Sequence, residues 1–136
     1  MIRVAGLGCR RGCPERELRE LLDSTLAERG LAVGDLSALA SVDSKAEEPG
    51  LRALALSLHL PLALLPATEL AACEGRLSGT SAVALRETGS PGIAEAAALL
   101  HAEALAGRPA RLLVEKRRSP RATCALACIP EDVDNP

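Results

Sequence analysis

Two hydrophobic periods alternate along this chain, and that alternation narrows its possible folds more than any other feature. Short apolar runs closed by glycine or proline alternate with segments whose leucines and alanines recur every three or four positions. Ile2 to Leu7 reads as a buried strand that ends in a tight turn at Gly6 and Gly8. Pro14 then stands at a helix N1 position with Cys13 as a weak cap, and Leu18, Leu21, Leu22 and Leu26 share one face until Gly30. Leu36 to Val42 is a second strand, followed by the polar turn Asp43 to Glu48 and a helix led by Pro49 through Leu58. Leu62 to Leu65 is a third strand between Pro61 and Pro66, and Thr68 caps a short helix to Cys73.

Beyond the loop Gly75 to Gly79, Ser81 reads as the cap of a short helix ending at Gly89, while Ala82 to Leu85 reads equally as a strand. Ser90 and Pro91 open the longest helix, with Ile93, Ala97, Leu100 and Ala104 on one face and Gly107 at its end. Leu112 to Val114 and Ala122 to Ile129 are the last strands. Only a short loop joins them, so they pair antiparallel. The order implies an α/β protein with three layers, α/β/α, around a mostly parallel sheet of about five strands with a C-terminal antiparallel hairpin strand. Residues 1–130 form a single domain, and the acidic tail 131–136 is expected to fray.

Composition removes several function classes. The chain has no Phe, Tyr or Trp, so no ring is available to stack a base. A formal charge of −2 gives no electrostatic case for a nucleic-acid partner. The opening MIRVAGLG is too short for a secretory signal, and no apolar stretch reaches the length of about 18 residues that spans a bilayer. Five cysteines, an odd number, suit a reducing cytoplasm better than a disulfide framework. The expectation is a cytoplasmic protein without a membrane or nucleic-acid partner.

Fourteen of the sixteen basic residues are arginine; lysine stands only at positions 45 and 116. Both lysines follow strands, on the side where open α/β sheets bind ligands, and a compact ammonium is not interchangeable with a guanidinium fork. Chance retention on a solvated surface is the bland alternative. Lys45 lies in Asp43-Ser44-Lys45-Ala46-Glu47-Glu48-Pro49-Gly50. Glu47 and Glu48 suit a helix start electrostatically, whereas Lys45 opposes the dipole and is therefore the candidate ligand contact or acid–base group. Asp43 would orient Lys45 or receive a loop N–H.

The turn Gly6-Leu7-Gly8-Cys9-Arg10-Arg11-Gly12 offers glycine flexibility, free N–H groups and two guanidinium forks to an anion. It is not the dinucleotide fingerprint, which needs glycine where Arg11 stands and an acid about 20 residues on. The alternative is a plain tight turn with solvated arginines. Cys9, beside those arginines and near a helix N-terminus, is expected to have a lowered pKa and is a candidate nucleophile. Neither His59 nor His101 is placed by sequence to serve as its base.

The third motif, Glu115-Lys116-Arg117-Arg118-Ser119-Pro120-Arg121, reads either as a solvated hairpin that blunts a sheet edge or as a mobile basic flap over an acidic ligand. Glu95, early in the long helix, suits the dipole and is placed to pair with a basic loop. A zinc site is excluded by geometry. Cys124 and Cys128 lie about 13 Å apart along a strand, too far to share a metal with bonds of about 2.3 Å, and read as core. No metal or cofactor is implied. The loop at 8–12, the loop at 43–48 and Lys116 are expected to converge at the carboxyl end of the sheet.

Taken in this order, GLGCRRG at 6–12, ALASVDSKAEEPGL at 38–51, the strand at 61–66, Ser81-Ala82-Val83, GIAEAAAL at 92–99, LLVEK at 112–116 and ATCALA at 122–127 resemble one family, the CobE/CbiG C-terminal domain family of cobalamin (vitamin B12) biosynthesis. The chain looks like the free-standing form of that family. It departs from the pattern at Gly92, where a small hydroxyl residue is expected, and in a leucine that replaces an aromatic after the third strand. The resemblance implies work on the corrin ring, whose precursors carry many carboxylates round an apolar macrocycle.

The expected ligand site is Gly8, Cys9, Arg10, Arg11, Gly12, Asp43, Lys45, Glu48, Ser81, Glu95, Lys116 and Arg117. A precorrin or corrinoid is the implied small-molecule partner, and other enzymes of the pathway are the implied protein partners. Two functions fit. One is an accessory or carrier protein that holds an intermediate. The other is a hydrolase opening the ring-A lactone with release of acetaldehyde, using Lys45, Asp43 or Cys9 for catalysis.

Overall fold

Side-chain alternation along the first strand divides the interior in two. The computed structural model describes residues 1–73 and 92–130. Strand β1 (Arg3–Cys9) sends Ala5 and Leu7 into one core, with Leu18, Leu22 and Leu26 of α1 (Glu15–Ala27) and Leu51 and Leu54 of α2 (Pro49–Leu58). Its Val4 points into a second core, beside Leu70 of α3 (Ala67–Ala72) and Ala97, Ala98 and Leu99 of α4 (Ile93–Ala106). The sheet between them also contains β2 (Ala38–Val42), β3 (Leu62–Leu65), β4 (Arg111–Arg118) and β5 (Ala122–Cys128), in the order β3-β2-β1-β5-β4.

β1, β2 and β3 are parallel, and β5 is antiparallel to both its neighbours. β4 therefore runs with β1 again, so four of five strands share a direction. The three-layer α/β fold expected from the sequence is the one observed. The exits of β1, β2, β3 and β4 and the start of β5 all lie at one end.

Two strands are longer than their apolar runs. β1 continues through Gly8 and Cys9 because β5 pairs along its whole length, from Arg3↔Cys128 to Cys9↔Ala122. Gly6 and Gly8 thus belong to the strand, and the turn falls at Gly12, whose φ is +80°. Gly6 is required for another reason: a Cβ there would lie 1.9 Å from the Ala94 carbonyl oxygen of α4. β4 extends through the charged residues to Arg118, with two register shifts against β5, so Lys116 and Arg117 are strand residues. Pro14 is the residue just outside α1 rather than its first.

At Gly50 a Cβ would meet the Cys13 carbonyl oxygen at 2.2 Å, so the start of α2 rests directly on the turn after β1. Ser81, the run 81–89 and the tail 131–136 lie outside the described residues. Among the described residues no helix is long and apolar enough to cross a membrane.

Candidate functional site

The turn after β1 is held from both sides. From the β2 side, the Glu48 carboxylate accepts the Gly12 N–H at 2.7 Å. From the β5 side, the Arg121 carbonyl accepts the Arg10 N–H at 2.8 Å, and within the turn Cys13 N–H donates to the Arg10 carbonyl at 3.1 Å. Glu48 is buried, and it occupies the seat at Gly12 that an external anion would take. Anion recognition by these backbone donors is therefore largely satisfied internally, which leaves the arginine side chains as the available groups.

The loop after β2 is a tight 3-10 turn, Asp43–Lys45. Its shape is fixed by Ala46 N–H on the Asp43 carbonyl at 3.1 Å and Glu48 N–H on the Lys45 carbonyl at 3.0 Å. Asp43 contributes through that carbonyl; its side chain is exposed and forms no hydrogen bond with Lys45. Arg10 and Arg11 are exposed and Lys45 is half-buried. Among the described residues, no hydrogen bond or ion pair engages these three side chains.

Cys9 departs from expectation. Its thiol lies half-buried against the α1/α2 core, and burial pushes its pKa up to about 11, with Cys13 reinforcing the shift and Lys45 opposing it. Desolvation outweighs the attraction of one ammonium, so the group is a protonated thiol at neutral pH. Cys124, in β5, is fully buried and pushed further, to about 12. Among the described residues, no three His, Cys, Asp or Glu side chains converge as a metal site.

Glu95 and Lys116 lie on the opposite face of the sheet. Glu95, fully buried in the first turn of α4, accepts the Lys116 backbone N–H at 2.8 Å and so ties α4 to β4. Burial and the nearby Arg118 hold the Lys116 ammonium below its ordinary pKa, while Glu95 pulls the other way. A Cβ on Gly8 would meet Thr123 Oγ1 at 2.8 Å and the side chain of Ile93 beyond it. Gly8 therefore makes room for the Thr123 side chain of β5.

The basic hairpin is fastened to α1. Arg117 forms a two-pronged pair with Glu28, its Nε and Nη2 each donating at 2.8 Å. Glu17 accepts the Arg121 N–H at 2.7 Å, Arg121 Nε at 2.8 Å and the Ser119 hydroxyl. Those bonds, led by that of Ser119, lower the Glu17 pKa. β4 is the edge strand that the first reading of this segment expected, and the hairpin beyond it is latched to α1. Sequence reasoning missed Glu17 and Glu28 because their partners lie 104 and 89 residues away. An acid near a helix start carries no sign of a distant arginine.

The loops at 8–12 and 43–48 thus meet over the adjacent strands β1 and β2, with Lys116 at the same end of the sheet on its α4 face. Glu48 joins the two loops, and Arg117 is engaged by Glu28.

Residues 3–127 match the family model described as Cobalamin synthesis G C-terminus. The chain is 44% identical over 124 residues to Protein CobE of a Sinorhizobium species, covering 91% of this chain and 78% of that protein. It is 28% identical over 127 residues to the cobalt-precorrin-5A hydrolase of Priestia megaterium, of which it spans 32%. Among solved structures, that of CobE, a protein from the cobalamin biosynthetic pathway, superposes with a TM-score of 0.88 at 50% identity, over 96% of this chain and 95% of that one. Cobalamin biosynthesis protein ChiG from Agrobacterium tumefaciens str. C58 gives 0.65 at 31% identity, over 96% and 100%. The chain belongs to the cobalamin synthesis G C-terminus family, on its CobE branch, and is a cobalamin biosynthesis protein.

Proposed function

We propose that this protein binds a precorrin or corrinoid intermediate through Arg10, Arg11 and Lys45, in an accessory or carrier role. The observation that carries this reading is a set of three cations without partners among the described residues, standing on backbone that is fixed by Glu48 and Arg121. Like charges held together on a rigid base lack the compensation that most charged groups of a fold obtain, and a polycarboxylate supplies it. Corrin precursors carry such carboxylates round an apolar ring. Lys116, on the α4 face of the same end, is a further contact for a ligand that wide. The carrier hands its cargo to other enzymes of the pathway.

The hydrolase reading draws on the similarity to the Priestia megaterium hydrolase, of which this chain spans about a third. Under it Lys45 supplies acid–base chemistry, assisted by Asp43. Cys9 is a poor nucleophile in either case, since a thiol near pKa 11 is protonated at neutral pH.

Calorimetry with hydrogenobyrinic acid, a cobalt-free corrin polycarboxylate, tests the carrier reading, and mass spectrometry of precorrins incubated with the protein tests turnover. Binding that weakens with salt and leaves the ligand mass unchanged is the expected result. A mass change would establish the hydrolase, and failure to bind any corrinoid would overturn both readings.

A further inference from the structure

We infer that Glu17 is a positioning residue for the ligand-facing loop: it latches the β4–β5 hairpin, and the latched hairpin fixes Arg10. The inference rests on the proposed binding by Arg10 and its neighbours. One carboxylate receives three bonds from the loop 119–121: the Ser119 hydroxyl, the Arg121 N–H and Arg121 Nε. The same Arg121 residue uses its carbonyl to hold the Arg10 N–H at 2.8 Å. Glu17 is itself fixed by its N–H on the Pro14 carbonyl at 3.1 Å, and Pro14 ends the turn that Arg10 begins. Arg10, the turn, Pro14, Glu17 and Arg121 therefore form a closed ring of covalent and hydrogen bonds.

Packing alone does not hold that ring shut. A groove of about 570 Å³, lined by Pro14, Arg16, Glu17, Glu20, Pro120 and Arg121, runs beside the latch, so the hairpin tip has room to move once Glu17 lets go. The sheet beneath does not depend on it, because β5 pairs with β1 along the full strand. Loss of the latch is thus a local event whose consequence reaches the ligand through Arg10.

The test pairs exchange with binding. Glu17→Gln keeps the size of the side chain and removes its charge. In ligand-free protein, amide hydrogen exchange at Arg10 and Arg121 should quicken while β5 remains protected. Affinity for hydrogenobyrinic acid should fall roughly three- to tenfold in the otherwise native chain, and no further in an Arg10→Ala background, where no side chain is left to misplace. A merely structural role would lower affinity equally in both backgrounds, and that result would overturn the inference. Unchanged exchange at Arg10 would overturn it as well. If Glu17→Gln fails to fold, Arg121→Gln removes one anchoring bond from the other side and should give the same pattern, weaker. If the native protein binds no corrinoid, the binding reading falls, and the exchange result alone decides the latch.

Discussion

Arg117 and Arg121, on the β4–β5 hairpin, direct their donors to Glu28 and Glu17, whereas Arg10, Arg11 and Lys45, at the same end of the sheet, meet no acid among the described residues. In sequence the two regions look alike, as short polar segments rich in cations. The difference arises from what packs beside each. The hairpin lies along α1, whose surface acids reach it. The loops after β1 and β2 meet one buried acid, Glu48, and that carboxylate is turned to the Gly12 N–H rather than to a cation. A carboxylate bound to backbone fixes a loop and leaves its side chains available; a carboxylate bound to a guanidinium takes the charge out of play.

Breaking this contrast is a matter of comparing variants. Arg11→Ala should weaken binding of a corrin polycarboxylate most, by about 1.5–3 kcal/mol or roughly 10- to 150-fold, the value of a charge-assisted hydrogen bond. Calorimetry should show Arg117→Ala costing far less; equal losses would mean that Glu28 yields its arginine to the ligand and that the contrast is false.

Next in size is Glu48→Ala. It leaves the Gly12 N–H without its acceptor, and the penalty for an unsatisfied, partly buried donor is about 1–3 kcal/mol. Denaturant unfolding should register it as a lowered midpoint with an unchanged slope. A native midpoint would show that the loop is held without Glu48.

Acidification sharpens the comparison by acting on the hairpin. The folded pKa of Glu17 is depressed, so its latch contributes fully above the unfolded carboxyl value of about 4.3 and is lost as pH falls through the folded value. The protection of the Arg121 amide, the intrinsic exchange rate divided by the observed rate at the same pH, should therefore be high at neutral pH and fall only under acid conditions. Opening near pH 6 would contradict the assignment. The smallest effect is reserved for Glu28→Gln, an exposed pair whose removal should leave the unfolding midpoint unchanged within error.

Local signals were enough for the elements and the class. Prolines at 14, 49, 61 and 66, glycines at 30 and 107, and the leucine periods place every described α-helix and three of the strands to within a few residues. Where the reading fell short, a neighbour distant in sequence was responsible. β1 and β4 outrun their apolar stretches because β5 supplies hydrogen-bond partners beyond them. Gly8, expected in a turn, is a strand residue packed against the Thr123 side chain. The motif residues Arg10, Arg11 and Lys45 could be named from sequence as a basic group, but not as a group that meets no acid among the described residues.

The sequence by itself determined the alternating strands and helices, the antiparallel end of the chain and the family, because periodicity, turn residues and motif order are properties of neighbours along the chain. Tertiary structure alone decided which charges are available and that the Cys9 thiol stays protonated. Arg117 is neutralised by Glu28 across 89 positions, Glu17 holds Arg121 across 104, and burial against the α1/α2 core keeps Cys9 protonated beside Lys45. Electrostatics falls off with distance in space, and the fold alone sets those distances.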